Sequence, residues 1–171
     1  LTNKSGNIAY LIGRLQTTRG INAGIFGGAC RDWYLDKEPK DIDIIVECEE
    51  LNSTILDDLI LGADTVQKNK FDGFKIFYDG ISFDIWKLHE ARQFKELNLE
   101  PSFENLMKTV PLSTDQIVVT LKGDVYEDGF WKTLDTQTIE IVNLKQEDLE
   151  YISQRAQRFS TKYGWKLSEK A

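Results

Sequence analysis

Two aspartates stand one residue apart in Asp41-Ile42-Asp43-Ile44-Ile45-Val46, an alternating and β-branched stretch. Strand side chains alternate in direction, so a strand here projects both carboxylates from one face and sends Ile42 and Ile44 to the other. Two bare carboxylates side by side repel. Hard divalent cations relieve that repulsion: Mg²⁺ takes one or two carboxylates and completes its shell with water and substrate phosphates. A third acid, Asp84, interrupts Ile81-Ser82-Phe83-Asp84-Ile85-Trp86, with Phe83 and Ile85 on one face and Asp84 on the other. A hairpin strand laid beside the Asp41–Asp43 strand would bring Asp84 to the same cations, giving the three acids that a clamp on attacking and leaving oxygens needs. In that arrangement Asp84 helps deprotonate an acceptor hydroxyl. A one-residue slip of the hairpin would offer Asp72 or Asp79 instead.

The complementary feature is Gly27-Gly28, which ends an apolar strand and opens a helix. Glycine lets backbone approach a phosphate closely and take positive φ, and a helix start offers free N–H groups to an anion. Arg31, one turn on, can add a charged fork. The alternative is a plain tight turn in which Arg31 pairs with Asp32 or Asp36.

The positioning elements follow from periodicity. Residues 7–19 carry Ile8, Leu11, Ile12 and Leu15 at helical spacing, and Gly20 supplies a stop; residues 51–61 read as a second helix. Ile25-Phe26 is a short strand, and a helix starts near Arg31. Strands over 73–78 and 81–86 flank Asp79-Gly80, a hairpin signal, and shorter strands are expected over 117–121 and 139–142. A long amphipathic helix over 146–164 places Leu149, Ile152, Ala156, Phe159 and Tyr163 on one face. Trp33, Tyr34, Phe83, Trp86 and Trp131 are read as core.

The chain has 171 residues, 41% hydrophobic and 29% charged, which suits one ordinary domain with a helical appendage. No apolar run approaches the roughly 20 residues of a membrane helix, and no cleavable leader opens the chain, so a cytoplasmic location without membrane contact is expected. The two cysteines, Cys30 and Cys48, lie in regular segments and are expected as reduced thiols. The single histidine, His89, excludes a histidine zinc site and a Cys/His hydrolase. A net charge of −7 argues against tight nucleic-acid binding by this chain alone. The stretch holding Arg155, Arg158, Lys162, Lys166 and Lys170 is nevertheless locally basic.

The run Gly27-Gly28-Ala29-Cys30-Arg31-Asp32-Trp33-Tyr34-Leu35, followed by Pro39-Lys40-Asp41-Ile42-Asp43, resembles the head-domain signature of class II CCA-adding enzymes and bacterial poly(A) polymerases. Arg155-Ala156-Gln157-Arg158-Phe159, then Lys162-Tyr163-Gly164-Trp165, is similar to the arginine-rich helix that starts that family's neck domain, so the likeness spans about residues 21–165. The resemblance implies an α+β, polymerase-beta-like nucleotidyltransferase fold: a mixed five-stranded sheet with flanking helices, a head over 1–145 and a neck-like C-terminal helix over 146–171. It implies Mg²⁺ or Mn²⁺ held by Asp41 and Asp43, to which the hairpin reading adds Asp84 as the third metal ligand. A nucleoside triphosphate, ATP or CTP, would be held by Gly27, Gly28, Arg31, Asp32, Lys40, Arg155 and Arg158. Asp148, Arg155 and Arg158 are the positions to suspect for base choice.

Two departures are visible. Glu147-Asp148 is not followed by an arginine at the family's short spacing. The family's phenylalanine-threonine-isoleucine-asparagine-alanine motif is blurred into Val110-Pro111-Leu112-Ser113-Thr114-Asp115, to which no role is assigned. The implied protein is a minimal transferase lacking the family's body and tail, like phage-encoded and toxin-like members of the superfamily, acting on an RNA or tRNA end, a small molecule or a protein hydroxyl. The alternative is a catalytically idle nucleotide- or partner-binding module. Retention of all three acids and the glycine pair favours the transferase.

Overall fold

A computed structural model of the chain describes residues 13–14, 21–47, 63–68, 73–78, 80–143 and 148–169. Apart from Gly13 and Arg14, which are helical, the helix expected over 7–19 lies outside the described residues, as do the helix expected over 51–61, Cys48, Asp72, Asp79 and Lys170.

The frame is a mixed sheet built from β1 (Asn22–Phe26), β2 (Asp41–Glu47), β3 (Thr65–Lys68), β4 (Phe74–Tyr78), β5 (Ile81–Lys87), β6 (Ile117–Thr120) and β7 (Val125–Glu127). Their order is β3-β4-β5-β2-β1-β6-β7, in which only β2 and β5 run parallel. The sheet thus has seven strands, not five. The two outermost, β3 and β7, lack the clean apolar alternation of an inner strand: β3 is exposed at every position, and β7 is only three residues long. Strands that bury no face carry no period-2 signal for a sequence to show.

The central strands read as their residues dictate. In β2 the side of Ile42, Ile44 and Val46 packs with Phe83, Ile85, Ile25 and Ile76 into the larger core. That core is closed by α1 (Gly28–Tyr34), α4 (Phe130–Thr136) and α5 (Leu149–Tyr163) through Ala29, Cys30, Phe130, Leu134, Ile152 and Ala156. On the opposite side Ile45 joins a second core with Leu88, Ala91, Phe94, Phe103, Leu106 and Met107. These come from a 3₁₀ turn (Leu88–Glu90), α2 (Arg92–Leu97) and α3 (Phe103–Met107). Asp41 and Asp43 share that second side with Ile45, and the covering helices leave the carboxylate end of the face open to a cavity.

The C-terminal helix ends at Gly164 in the left-handed region (φ 70). Its apolar stripe buries Ile152 and Ala156, and Trp165 just beyond it enters the same core, while Leu149 is 46% exposed. The strand expected over 139–142 is shorter: β8 (Thr138–Ile139) pairs in parallel with β9 (Lys166–Leu167), and Ile141 makes a single bridge to Leu112. Of the aromatics assigned to the core, Phe83 is fully buried, whereas Tyr34 and Trp131 are 59% and 42% exposed and pack on each other with ring centroids 5.3 Å apart.

Candidate active site

Register sets the carboxylates. β2 pairs with β5 so that Asp43 stands opposite Asp84 and Asp41 opposite Ser82. Cross-strand neighbours have Cβ atoms about 5 Å apart, so Asp43 and Asp84 are nearest neighbours on the open face. The row continues on both sides, with Lys75 of β4 opposite Asp84 and Phe26 of β1 opposite Asp43. Lys75 Nζ reaches Asp84 Oδ2 at 3.3 Å. Asp41, first in its strand, is exposed.

Asp43 bears the electrostatic load. Its carboxyl is pushed up from 3.8 to about 7, chiefly by burial, then by the charges of Asp84, Asp115 and Asp41; Lys75 opposes the shift. A carboxylate this costly to ionise, ringed by oxygen donors, has the chemistry of a hard-cation site. Among the described residues no group of three or more His, Cys, Asp or Glu is placed to hold a metal ion, and Asp84 is paired with Lys75. Lys75→Met removes the cation paired with Asp84. It is expected to tighten Mg²⁺ binding, measured by calorimetry, by up to about fivefold, the size of a partly exposed ion pair; weaker binding would contradict that role.

Gly27 makes the turn between β1 and α1 with φ 64 and ψ −119, and its N–H donates to the Ile117 carbonyl at 2.9 Å. A Cβ there would lie 3.5 Å from the Asp115 carbonyl oxygen, an ordinary contact, so the glycine is needed for its backbone and not for space. Gly27→Ala is expected to cost about 1–3 kcal/mol, because φ 64 with ψ −119 is a backbone conformation that glycine alone adopts readily, read as a lower melting temperature; an unchanged one would show that the turn tolerates a side chain.

Arg31 does not reach outward. It is 5% exposed: Nη1 donates to Asp115 Oδ1 at 2.8 Å, Nη2 lies 3.2 Å from Asp32 Oδ1, and the guanidinium sits 4.4 Å from the Phe159 ring centroid. Asp32 also accepts from the Tyr163 hydroxyl at 3.2 Å. Arg31 and Asp32, two of the residues expected to hold nucleotide, tie α5 to the turn, and Arg31 makes the pairing with Asp32 that is the alternative to phosphate binding. Arg155 Nη2 donates to the other Asp115 oxygen at 2.8 Å while its side chain stays 37% exposed.

A cavity of about 320 Å³ joins these parts. Its wall includes Gly27, Gly28, Asp43, Asp115 and Arg155 together with Phe26, Trp86, Lys87, Glu90, Leu106 and Val110. Lys40, Asp148 and Arg158 are exposed and stand outside the wall; Asp84 and Asp41 flank Asp43 but are likewise not in it. Thiol chemistry has no place here, since burial pushes Cys30 up to about 12. Asp115 and Lys75 were missed from sequence. Lys75 had a signal: a two-residue turn at 79–80 makes paired positions sum to 159, which puts residue 75 opposite 84. Asp115 had none, because it meets Arg31 and Arg155 across 84 and 40 residues.

No family model and no curated protein matches the sequence. Solved structures do. A CCA-adding enzyme in complex with CTP superposes with a TM-score of 0.75 at 19% identity, covering 99% of this chain and 41% of that one. The Thermotoga maritima CCA-adding enzyme complexed with tRNA gives 0.73 at 20% identity, over 99% and 40%. A tRNA nucleotidyltransferase with a primer tRNA and an incoming ATP analogue gives 0.72 at 22% identity, over 93% and 47%. The fold is therefore the α+β fold of CCA-adding enzymes and tRNA nucleotidyltransferases, and the chain spans less than half the length of these three neighbours. Among the described residues no helix is long and apolar enough to cross a membrane.

Proposed function

We propose that the chain is a metal-dependent nucleotidyltransferase that moves a nucleoside monophosphate from a nucleoside triphosphate to a hydroxyl, releasing pyrophosphate. The observation that carries this reading is the Asp43–Asp84 neighbour pair on adjacent parallel strands, of which Asp43 lines one cavity together with the glycine turn and Arg155. Asp41, Asp43 and Asp84 are the residues that would hold Mg²⁺ or Mn²⁺, which when bound supplies charge neutralisation at the α-phosphate and activation of the attacking oxygen. The chain's own part is positional. The Gly28 backbone, presented by the Gly27 turn, and Arg155 receive the phosphates, Asp84 faces the incoming hydroxyl, and the helices over the second core keep water from one side of Asp43. Structural neighbours bound to CTP, an ATP analogue and tRNA support a nucleoside triphosphate as donor and an RNA 3′ end as acceptor; small-molecule and protein hydroxyls are the other acceptor classes to test.

The Lys75–Asp84 ion pair favours a second reading, an idle nucleotide- or partner-binding module in which the lysine stands where a cation would otherwise be needed. The deciding experiment offers each of the four α-³²P-labelled nucleoside triphosphates with bulk tRNA, protein and small metabolites, in Mg²⁺ or Mn²⁺. Label transferred by the intact chain and lost in Asp41→Ala/Asp43→Ala establishes the transferase and its acceptor class. Triphosphate binding without transfer to any acceptor establishes the module.

A further inference from the structure

Asp115 belongs to none of the acids that sequence or fold assigns to the site, yet it is the most tightly held carboxylate near it. It ends a 3₁₀ turn whose other members, Ser113 and Thr114, are fully buried; the Asp115 N–H donates to the Leu112 carbonyl at 3.0 Å and the Ser113 N–H to the Glu140 carbonyl at 3.0 Å. Its backbone abuts the Gly27 turn. Its two oxygens are divided between two arginines from distant parts of the chain, each at 2.8 Å: Oδ1 to buried Arg31, Oδ2 to Arg155 on the C-terminal helix.

The two arginines differ in what they have left to give. Arg31 is also paired with Asp32 and covered by Phe159. Arg155 meets Asp115 through Nη2, lines the cavity, and keeps 37% of its side chain exposed. A guanidinium carries five N–H donors in a fixed fork, so one nitrogen can anchor on Asp115 while the remaining donors face the cavity beside Gly27 and Gly28. A long arginine left free would have to be ordered by its ligand; one already pinned to a rigid carboxylate pays that entropy on folding. We infer that Asp115 is a positioning residue: it holds the Arg155 fork in the cavity wall at the orientation that receives the phosphates of a nucleoside triphosphate, and through Arg31 it locks the same carboxylate to the glycine turn. This rests on the reading of the glycine turn as a nucleotide site, and it assigns the C-terminal helix a share in binding through a contact made inside the head.

The test is equilibrium binding of ATP, ADP, AMP and adenosine in Mg²⁺ to the full chain, to Asp115→Asn, to Arg155→Gln and to the double variant, with folding checked by circular dichroism. Asp115→Asn is expected to weaken ATP about tenfold, the loss of one charge-assisted hydrogen bond, ADP less, and adenosine not at all. Arg155→Gln, which leaves the Asp115–Arg31 pair intact, should do the same, and the double variant should be no worse than Arg155→Gln alone. Additive losses, or an equal loss for adenosine, would reduce Asp115 to a structural role and overturn the inference while leaving the nucleotide site standing. A wild-type chain that binds ATP without transferring it tests the inference in the same way. A wild-type chain that binds no triphosphate overturns both it and the reading beneath it.

Discussion

Replacing Asp43 with asparagine is expected to abolish transfer and to make the protein more stable. The first effect follows from position: Asp43 is the carboxylate that adjoins Asp84, lies two residues from Asp41 and lines the cavity with the glycine turn. Losing it should lower the rate on the order of 10³-fold or more, as removal of a preorganised electrostatic group does. The second follows from the cost of its charge. Burial and three neighbouring acids raise it from 3.8 to about 7. A carboxyl raised in the folded state stabilises the fold fully below its unfolded value, and that contribution disappears as pH rises through about 7. Metal-free wild type should therefore lose about 2–4 kcal/mol between pH 4 and pH 8, taking 1.36 kcal/mol per unit and discounting for partial exposure. Asp43→Asn should flatten that profile. Added Mg²⁺ should raise the melting temperature of wild type more at pH 8 than at pH 5, and that of the variant little at either. Thermal melts at the two pH values with and without Mg²⁺ measure all of this. A variant no more stable than wild type at pH 8 would mean that Asp43 is not strained by its surroundings.

That opposition between stability and chemistry also explains what a sequence can reveal about this site. The carboxylate strand was legible because a β-branched alternating stretch leaves one direction for its acids, and the hairpin was legible because a two-residue turn fixes which residues face each other. Together they placed Asp84 beside Asp43. The same arithmetic places Lys75 opposite Asp84. Strands β3 and β7 were not legible: β3 is exposed at every position and so has no period, and β7 is three residues long with only Tyr126 turned to the second core, too short to show one. Arg31 shows a different limit. Its type and its distance from the glycine pair fitted phosphate binding, but local spacing cannot see a carboxylate brought in from residue 115 or the ring of Phe159 laid over the guanidinium. A charged side chain one turn beyond a glycine pair has two outlets, ligand or neighbour, and the choice is made by tertiary contacts. Of the three positions suspected for base choice from the resemblance to the family's neck, Asp148 and Arg158 are exposed and lie outside the cavity wall, and Arg155 is in it.

Arg31→Ala should be the most destabilising substitution in the site, and for the reason opposite to Asp43→Asn. Arg31 supplies a buried positive charge to Asp115 at 2.8 Å and to Asp32 at 3.2 Å, with a cation–π contact to Phe159 besides. Taking away one partner of a buried pair leaves the other as an uncompensated charge, which costs about 3–5 kcal/mol. Here two carboxylates lose it at once, although Arg155 still serves Asp115 and Tyr163 still serves Asp32. Arg31→Lys should recover less than half of the loss, since one ammonium cannot span two carboxylates and stack beneath a ring. The damage should be directional, because the network joins α1 to α5: limited proteolysis should open the chain N-terminal to the C-terminal helix well before the β-sheet unfolds. Urea melts of the two variants, with the site of first cleavage read by mass spectrometry, decide the matter. A loss below about 1 kcal/mol, the level of an exposed ion pair, would place Arg31 outside the structural network and return it to the phosphate-binding role its spacing suggested.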